Sequence, residues 1–152
     1  MEDELKAVVR RFYAEVVNGG NFAAVETLFA PDFVNHDQPA GLPPGREGIK
    51  ALFQRLRTAF PDLHYRIDDL LVAGDKVIDR GTATGTHLGP YGPNPPTGRG
   101  FEMKEMHIYT VRNGQIVERW AIADALKMRQ DLGLGLTQPT LTGGETPPAA
   151  GS

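Results

Sequence analysis

The 152-residue sequence contains no cysteine, which excludes disulfide bonds, thiolate nucleophiles and cysteine-ligated zinc or iron–sulfur sites. It also lacks an excess of basic residues. The 16 Lys and Arg against 19 Asp and Glu give a formal net charge of −3, unlike a nucleic-acid-binding protein. No membrane-length apolar run occurs, and no signal-peptide pattern follows Met1. We therefore expect a cytoplasmic protein that binds neither nucleic acid nor membrane.

Several catalytic and cofactor motifs are also missing. The sequence has no glycine-rich dinucleotide or phosphate loop, no H-E-x-x-H zinc motif and no G-x-S-x-G nucleophile elbow. The four histidines are scattered, and none lies at metal-motif spacing from another histidine or a carboxylate. We therefore expect neither a metal nor a cofactor.

The composition is that of an ordinary globular domain, with 40% hydrophobic and 23% charged residues. A chain of this length buries roughly two-thirds of the surface that its unfolded state exposes, enough for both a core and a cavity. Residues 137–152 are mostly Thr, Gly, Pro and Ala without an apolar period. The sequence therefore predicts one domain over residues 1–136 and a flexible tail over residues 137–152.

Three helices are predicted in the first sixty residues. Apolar residues recur at steps of three and four over residues 5–17 and again over residues 46–60. Between them, Asn21 can cap a short helix that runs to Ala30 before a proline. A short strand is expected at residues 32–37.

Four strands are predicted after the helices, because the apolar period changes from about 3.6 to two. The first runs from Leu63 to a turn at residues 73–75, and the second spans residues 76–87. The last two, residues 101–112 and 115–123, flank the hairpin turn Asn113-Gly114. Helices followed by a strand meander indicate an α+β fold, with helices on one face of a curved antiparallel sheet.

The last strand and its end contain the clearest candidate for chemistry. Trp120, Ile122 and Asp124 share one side of this strand by alternation. If helices cover that side, Asp124 lies in a low-dielectric pocket that raises its pKa and suits general acid–base catalysis. Alternatively, Asp124 caps a final helix over residues 125–132. The sequence supports both interpretations equally.

Two other polar residues on the predicted strands have alternative interpretations. His107 shares one side of its strand with Glu105 and Tyr109, and it is either a catalytic residue or a half-buried histidine bonded to backbone. Arg80 is either an exposed strand charge, which the sequence favours, or a pocket guanidinium that orients a substrate carbonyl.

Four short segments resemble the SnoaL-like polyketide cyclase family. They are Phe60-Pro61-Asp62-Leu63, Gly85-Thr86-His87-Leu88-Gly89, Pro96-Thr97-Gly98 and Trp120-Ala121-Ile122-Ala123-Asp124, within a resemblance from about Leu5 to Gly133. The resemblance implies the cone-shaped fold of nuclear transport factor two, in which three N-terminal helices pack on the curved sheet and enclose a pocket.

The resemblance also implies an activity, the cofactor-free intramolecular aldol cyclisation of a polyketide ester. An aspartate at the position of Asp124 would be the general acid/base, and His107 would assist it. The expected ligand is a small hydrophobic or aromatic polyketide-like molecule. The residues expected to bind it are Trp120, Asn35, His36, Arg80, Tyr13 and His87. Which of Asn35, His36 and Asp37 faces the pocket stays open.

Two other functions fit the same fold. One is a non-catalytic small-molecule-binding protein, because fold does not fix function. The other is an epoxide hydrolase of the limonene-epoxide-hydrolase type, for which Arg80 and Asp124 supply two groups but Thr82 replaces the second aspartate. The apolar Met106 and Ile108, which face away from His107, predict a homodimer or a dimer of dimers.

Overall fold

The computed structural model describes residues 1–135 and arranges them as helices against one sheet. The helices are α1 (Glu2–Arg11), which continues as a π-helical segment (Phe12–Val17), α2 (Val25–Leu28), α3 (Gly45–Ala59) and α4 (Ala125–Asp131). The strands are β1 (Phe29–Asn35), β2 (His64–Ala73), β3 (Lys76–Thr86), β4 (Gly100–Arg112) and β5 (Gln115–Ala123). The predicted α+β class is confirmed. The tail predicted for residues 137–152 lies outside the described residues.

The N-terminal helices pack an apolar face on the sheet, as the periodicity predicts. Val9, Phe12 and Val16 are fully buried. The second helix is shorter than predicted, because Phe29 already has extended backbone angles and begins β1. The Phe29 ring then packs edge-on against Phe12, with ring centroids 5.0 Å apart. Within residues 1–135, no helix is long and apolar enough to cross a membrane.

The sheet has the strand order β1-β5-β4-β3-β2. Strands β2 to β5 form the predicted antiparallel meander, whereas β1 pairs with β5 in parallel and makes the sheet mixed. This pairing joins segments about 85 residues apart, so no local pattern in the sequence predicts it. It completes the wall of the sheet next to β5.

Irregularities in strand pairing accompany the curvature of the sheet. The register shifts between Ile67 and Asp69 in β2 and between Thr110 and Val111 in β4. Such bulges bend a strand and increase its twist. The concave face is the one that the helices cover, and alternation along each strand decides which side chains reach it.

Candidate active site

A cavity of about 400 Å³ lies between the concave face of the sheet and the helices. Small side chains on the strands leave this space, since Ala83, Ala121 and Ala123 all line it. Leu52 and Phe53 on α3 contribute larger apolar side chains to the lining. A mostly apolar cavity of this size suits a small apolar or aromatic ligand.

Asp79 in β3 is the centre of a buried polar cluster next to this cavity, and it is 0% exposed. The Tyr13 hydroxyl donates to Asp79 Oδ2 at 2.6 Å, and the Tyr65 hydroxyl donates to Oδ1. The His107 Nδ1 atom lies 3.0 Å from the same Oδ1. Three donors therefore satisfy one buried carboxylate, as a charge in this environment requires.

Gly81 makes room for this cluster. A Cβ atom at this position would lie 2.3 Å from the Tyr65 ring, far closer than van der Waals contact. The missing side chain lets the Tyr65 ring lie across β3 and bring its hydroxyl to Asp79. The glycine is therefore part of the architecture of the site.

His107 lies between two carboxylates. Its Nδ1 atom contacts Asp79, and its Nε2 atom lies 3.0 Å from Glu105 Oε1. Burial acts to lower the pKa of His107, but the two carboxylates raise it more, so the net shift is upward from the ordinary value. The imidazolium form carries a proton on each ring nitrogen and thus satisfies both contacts.

A chain of hydroxyl groups connects this cluster to Arg119. The Tyr109 hydroxyl lies 2.6 Å from the Tyr13 hydroxyl, and Arg119 Nε donates to Tyr109 at 3.4 Å. Burial raises the pKa of Tyr13 and Tyr109 well above the ordinary tyrosine value, so both stay protonated at neutral pH. Tyr13 and Arg119 both line the cavity.

Asp124 does not lie where a pocket acid would. Its side chain is exposed and accepts a hydrogen bond from the Lys127 backbone N–H at 3.1 Å, which makes it the N-cap of α4. The prediction that Asp124 lies beside the ligand is therefore wrong, and Asp124 caps α4 instead. The reason is the alternation of side chains along β5, which directs Arg119, Ala121 and Ala123 into the cavity. Asp124 belongs to the alternate set, which points outward.

Trp120 and His36 lie on the opposite, convex side. Their rings stack with centroids 4.5 Å apart and an interplanar angle of 10°. His36 Nε2 also contacts Glu118 Oε2 at 3.0 Å. Neither ring lines the cavity, so the sequence-based prediction that both bind the ligand does not match their positions.

Arg80 is also outside the cavity. Its guanidinium is half exposed and forms an ion pair with Asp69 at 2.6 Å. This position agrees with the exposed strand charge that the sequence favours, and it does not agree with a pocket guanidinium. Because both Arg80 and Asp124 lie outside the cavity, the epoxide-hydrolase arrangement considered for them is not present.

The remaining predicted ligand-binding residues have mixed positions. His87 is buried against Phe60 without lining the cavity, and its Nδ1 accepts from the Thr97 backbone N–H at 3.3 Å. Asn35 accepts from the Asp37 N–H and does not line the cavity either. Asp37 does line it, and its carboxylate accepts from the Ala121 N–H at 2.8 Å. Of residues 35–37, it is thus Asp37 that faces the cavity.

Sequence reasoning overlooked Asp79, Tyr65 and Arg119. Asp79 belongs to an inward row in which it is the one charged residue, between Val77 and Gly81. A lone carboxylate in a small and apolar alternating row is the signal that could have found it. Among residues 1–135, no three His, Asp or Glu side chains are arranged to hold a metal ion.

Comparison with known proteins agrees with this architecture. The SnoaL-like polyketide cyclase family matches residues 7–132. The structure of IdmH from Streptomyces antibioticus, a candidate polyketide cyclase, is 36% identical with a TM-score of 0.74, over 86% of this chain and 99% of that one.

Two further solved structures are similar. A candidate polyketide cyclase from Bacillus cereus ATCC 10987 is 34% identical with a TM-score of 0.76, over 86% of this chain and 81% of that one. TsrD from Streptomyces laurentii is 27% identical with a TM-score of 0.78, over 86% and 96%. None of the curated proteins compared with the chain matches it. On the family match over residues 7–132, this chain belongs to the SnoaL-like polyketide cyclase family.

Proposed function

We propose that the protein catalyses the cofactor-free intramolecular aldol cyclisation of a polyketide ester, with Glu105 and His107 as the acid–base pair. The observation that carries this proposal is the array Glu105, His107 and Asp79 beside an apolar cavity. Family membership supports the same reaction class.

Glu105 is suited to accept the substrate proton. Its side chain is 16% exposed, whereas those of His107 and Asp79 are 1% and 0% exposed. A ligand in the cavity therefore reaches Glu105 before the other two members of the array. The raised pKa of His107 keeps its imidazolium beside Glu105, ready to donate rather than accept.

All proton transfers of the reaction take place between the substrate, Glu105 and His107. The Glu105 carboxylate removes a proton from the carbon between two carbonyl groups, and the resulting enolate carbon attacks a second carbonyl carbon of the same molecule. A carbon–carbon bond forms, and the carbonyl oxygen becomes an alkoxide that takes the Nε2 proton of His107. Glu105 returns its proton to Nε2, so both residues regain their starting states.

Asp79 and the tyrosines act as positioning residues. Asp79 holds the His107 ring through Nδ1, and the Tyr13 and Tyr65 hydroxyls hold Asp79. Such support fixes the orientation and protonation of a catalytic imidazole. The surrounding apolar wall excludes water and brings both ends of one chain together, which contributes up to about 7–11 kcal/mol in well-oriented reactions.

Turnover of a linear β-keto ester with a tethered aldehyde tests the proposal, with the cyclic product quantified by chromatography. Glu105→Gln and His107→Gln should each lower kcat by roughly 10²- to 10⁴-fold, the range typical of general acid–base catalysis. The matched control is Asp124→Asn, which retains the helix cap and should retain turnover.

Two results would contradict the proposal. Unchanged turnover in Glu105→Gln and His107→Gln would show that these residues do not take part in the reaction. Binding of the β-keto ester by the wild-type protein without any cyclic product would favour the non-catalytic ligand-binding function.

A further inference from the structure

Arg119 is a buried cation without a carboxylate partner among residues 1–135, and its guanidinium lies 6.0 Å from the ring centroids of Phe53 and Tyr109. The residue is 6% exposed, yet it lines the cavity. Its one side-chain hydrogen bond within residues 1–135 runs from Nε to the Tyr109 hydroxyl. In that part of the chain, no carboxylate lies within the 4.0 Å of a salt bridge to its guanidinium.

The nearby carboxylates are occupied by other donors. Asp79 accepts from two tyrosine hydroxyls and contacts His107, and Glu105 contacts the other nitrogen of the same imidazole. Asp37 accepts from a backbone N–H. Burial of a guanidinium without a close counter-charge costs free energy. An oxyanion that forms in the cavity would supply that counter-charge.

We propose that Arg119 binds the two oxygens of a 1,3-dicarbonyl substrate in its enolate form, as a further catalytic residue. This inference deepens the proposed function and rests on it for the location of the reacting group. A guanidinium offers a planar fork of N–H donors that matches two syn oxygens, as it matches a carboxylate. The ligand class is therefore an acyclic β-dicarbonyl compound whose oxygens can point the same way.

The register of β4 and β5 places Arg119 close to the acid–base pair. Arg119 pairs with Tyr109, and His107 pairs with Ala121, two residues further along β5. Diagonal neighbours on one face of antiparallel strands are about 7–8 Å apart. The small Ala121 side chain keeps the space between them open. One dicarbonyl unit can therefore reach both the guanidinium and Glu105.

Charge balance favours an enolate over a permanent carboxylate. Before reaction, the negative charges of Asp79 and Glu105 are matched by His107 and Arg119, and Asp37, the other carboxylate of the lining, is exposed. Transfer of the substrate proton to Glu105 neutralises that carboxylate and places an equal negative charge on the ligand next to Arg119. The total charge in the cavity stays constant, whereas a permanent anion would add one uncompensated negative charge.

Equilibrium binding of benzoylacetone, followed by enolate absorbance across pH, tests the inference without turnover. The wild-type protein should bind the enolate more tightly than the neutral diketone. Arg119→Met should weaken enolate binding by about 10- to 100-fold, the range for hydrogen bonds to charged groups, and change neutral binding by less than about threefold. The control Arg80→Met removes an exposed arginine and should leave both affinities unchanged.

Ligand comparisons in the wild-type protein keep the test decisive if Arg119→Met does not fold. Dimedone is a cyclic 1,3-dione whose oxygens diverge. Its affinity for the protein should increase less on enolate formation than the affinity of benzoylacetone does. The pair 2-naphthoate and 2-naphthamide probes a permanent carboxylate. A preference for naphthoate with none for the benzoylacetone enolate would overturn the inference, as would an enolate preference that persists in Arg119→Met. Neither result depends on Glu105→Gln turnover, so the two proposals fail separately.

Discussion

The two faces of the β4–β5 hairpin both mix apolar and charged side chains, unlike a sheet with one apolar and one polar face. The face inside the molecule carries Glu105, His107 and Arg119, which line the cavity. The face outside carries Met106 and Ile122, which are 55% and 78% exposed. Burial normally selects apolar side chains. The buried charges fit the acid–base role that we propose for the inner face, and the exposed apolar side chains fit the contact with a second copy that we propose for the outer face.

Each face accommodates its unusual side chains in its own way. Inside, three of the charged groups contact one another, in the order Glu105, His107 and Asp79. Outside, Trp120 stacks on His36 and leaves the neighbouring apolar side chains exposed. Changes to the inner face should therefore cost far more stability and activity than changes to the outer face.

Removal of the charge on Asp79 should have the largest effect on stability. Asp79→Asn leaves His107 without its counter-charge and deprives two tyrosine hydroxyls of a carboxylate acceptor. We expect a loss of about 3–5 kcal/mol in the free energy of unfolding, as for a broken buried ion pair. Urea denaturation measures it. The control Asp69→Asn breaks an exposed ion pair and should cost no more than about 1 kcal/mol. Equal losses in the two variants would contradict the comparison.

A methyl group at Gly81 should be the next most damaging change. The new Cβ would overlap both the Tyr65 ring and the Arg66 backbone carbonyl oxygen, and it would force the ring away from Asp79. Overpacking of this kind costs about 1–3 kcal/mol of unfolding free energy, measurable by denaturant titration. Gly100→Ala is the control, since its Cβ would meet only ordinary contact at 3.6 Å. Equal stability of Gly81→Ala and Gly100→Ala would contradict the role of Gly81 in making room for the Tyr65 ring.

The charge on His107 should give stability a specific pH dependence. Its pKa is raised in the folded state above the ordinary value of 6.5, so folding favours the protonated form. This stabilisation is complete below about pH 6.5 and is lost as the pH rises through the folded pKa. The difference in unfolding free energy between wild type and His107→Gln should therefore shrink from pH 6 to pH 9. A difference that grows with pH would show that His107 is buried in its neutral form.

Substitutions on the outer face should change the stability of the protomer least and its assembly most. We propose that a second copy of the chain covers it, because Met106, Ile108 and Ile122 are 55%, 40% and 78% exposed. The double variant Met106→Lys/Ile122→Lys should be monomeric by sedimentation velocity, with protomer stability changed by less than about 0.5 kcal/mol. Leu88→Lys, an exposed apolar site outside the hairpin, should leave assembly unchanged. A wild-type monomer at micromolar concentration would contradict the proposal.

The sequence predicts most of the fold because local patterns determine it. Helical periodicity locates α1 and α3, and Asn113-Gly114 identifies the last hairpin. The parallel pairing of β1 with β5 is not predictable in this way, because it depends on contacts between distant segments. The early start of β1 at Phe29 has the same cause, since pairing and aromatic packing override the local helical pattern.

The site is less predictable because β5 buries a charged residue and exposes an apolar one. Apolar Trp120 and Ile122 suggest a buried side, and Asp124 follows them by alternation. The structure buries Arg119 instead and leaves Ile122 exposed. Hydrophobic patterning fails on β5 because Arg119 lies inside, where it donates to the Tyr109 hydroxyl and lines the cavity. His107 was identifiable because its strand keeps the expected alternation.

Solvent deuterium exchange at the carbon between the two carbonyls of a β-keto ester tests the central claim most directly. NMR measures this exchange and isolates proton transfer from ring closure. We expect the wild-type protein and Asp124→Asn to accelerate exchange equally, and Glu105→Gln to lose roughly 10²- to 10⁴-fold of that acceleration. Unchanged exchange in Glu105→Gln together with loss of exchange in Asp124→Asn would identify Asp124, at the end of β5, as the base. That result would contradict the account.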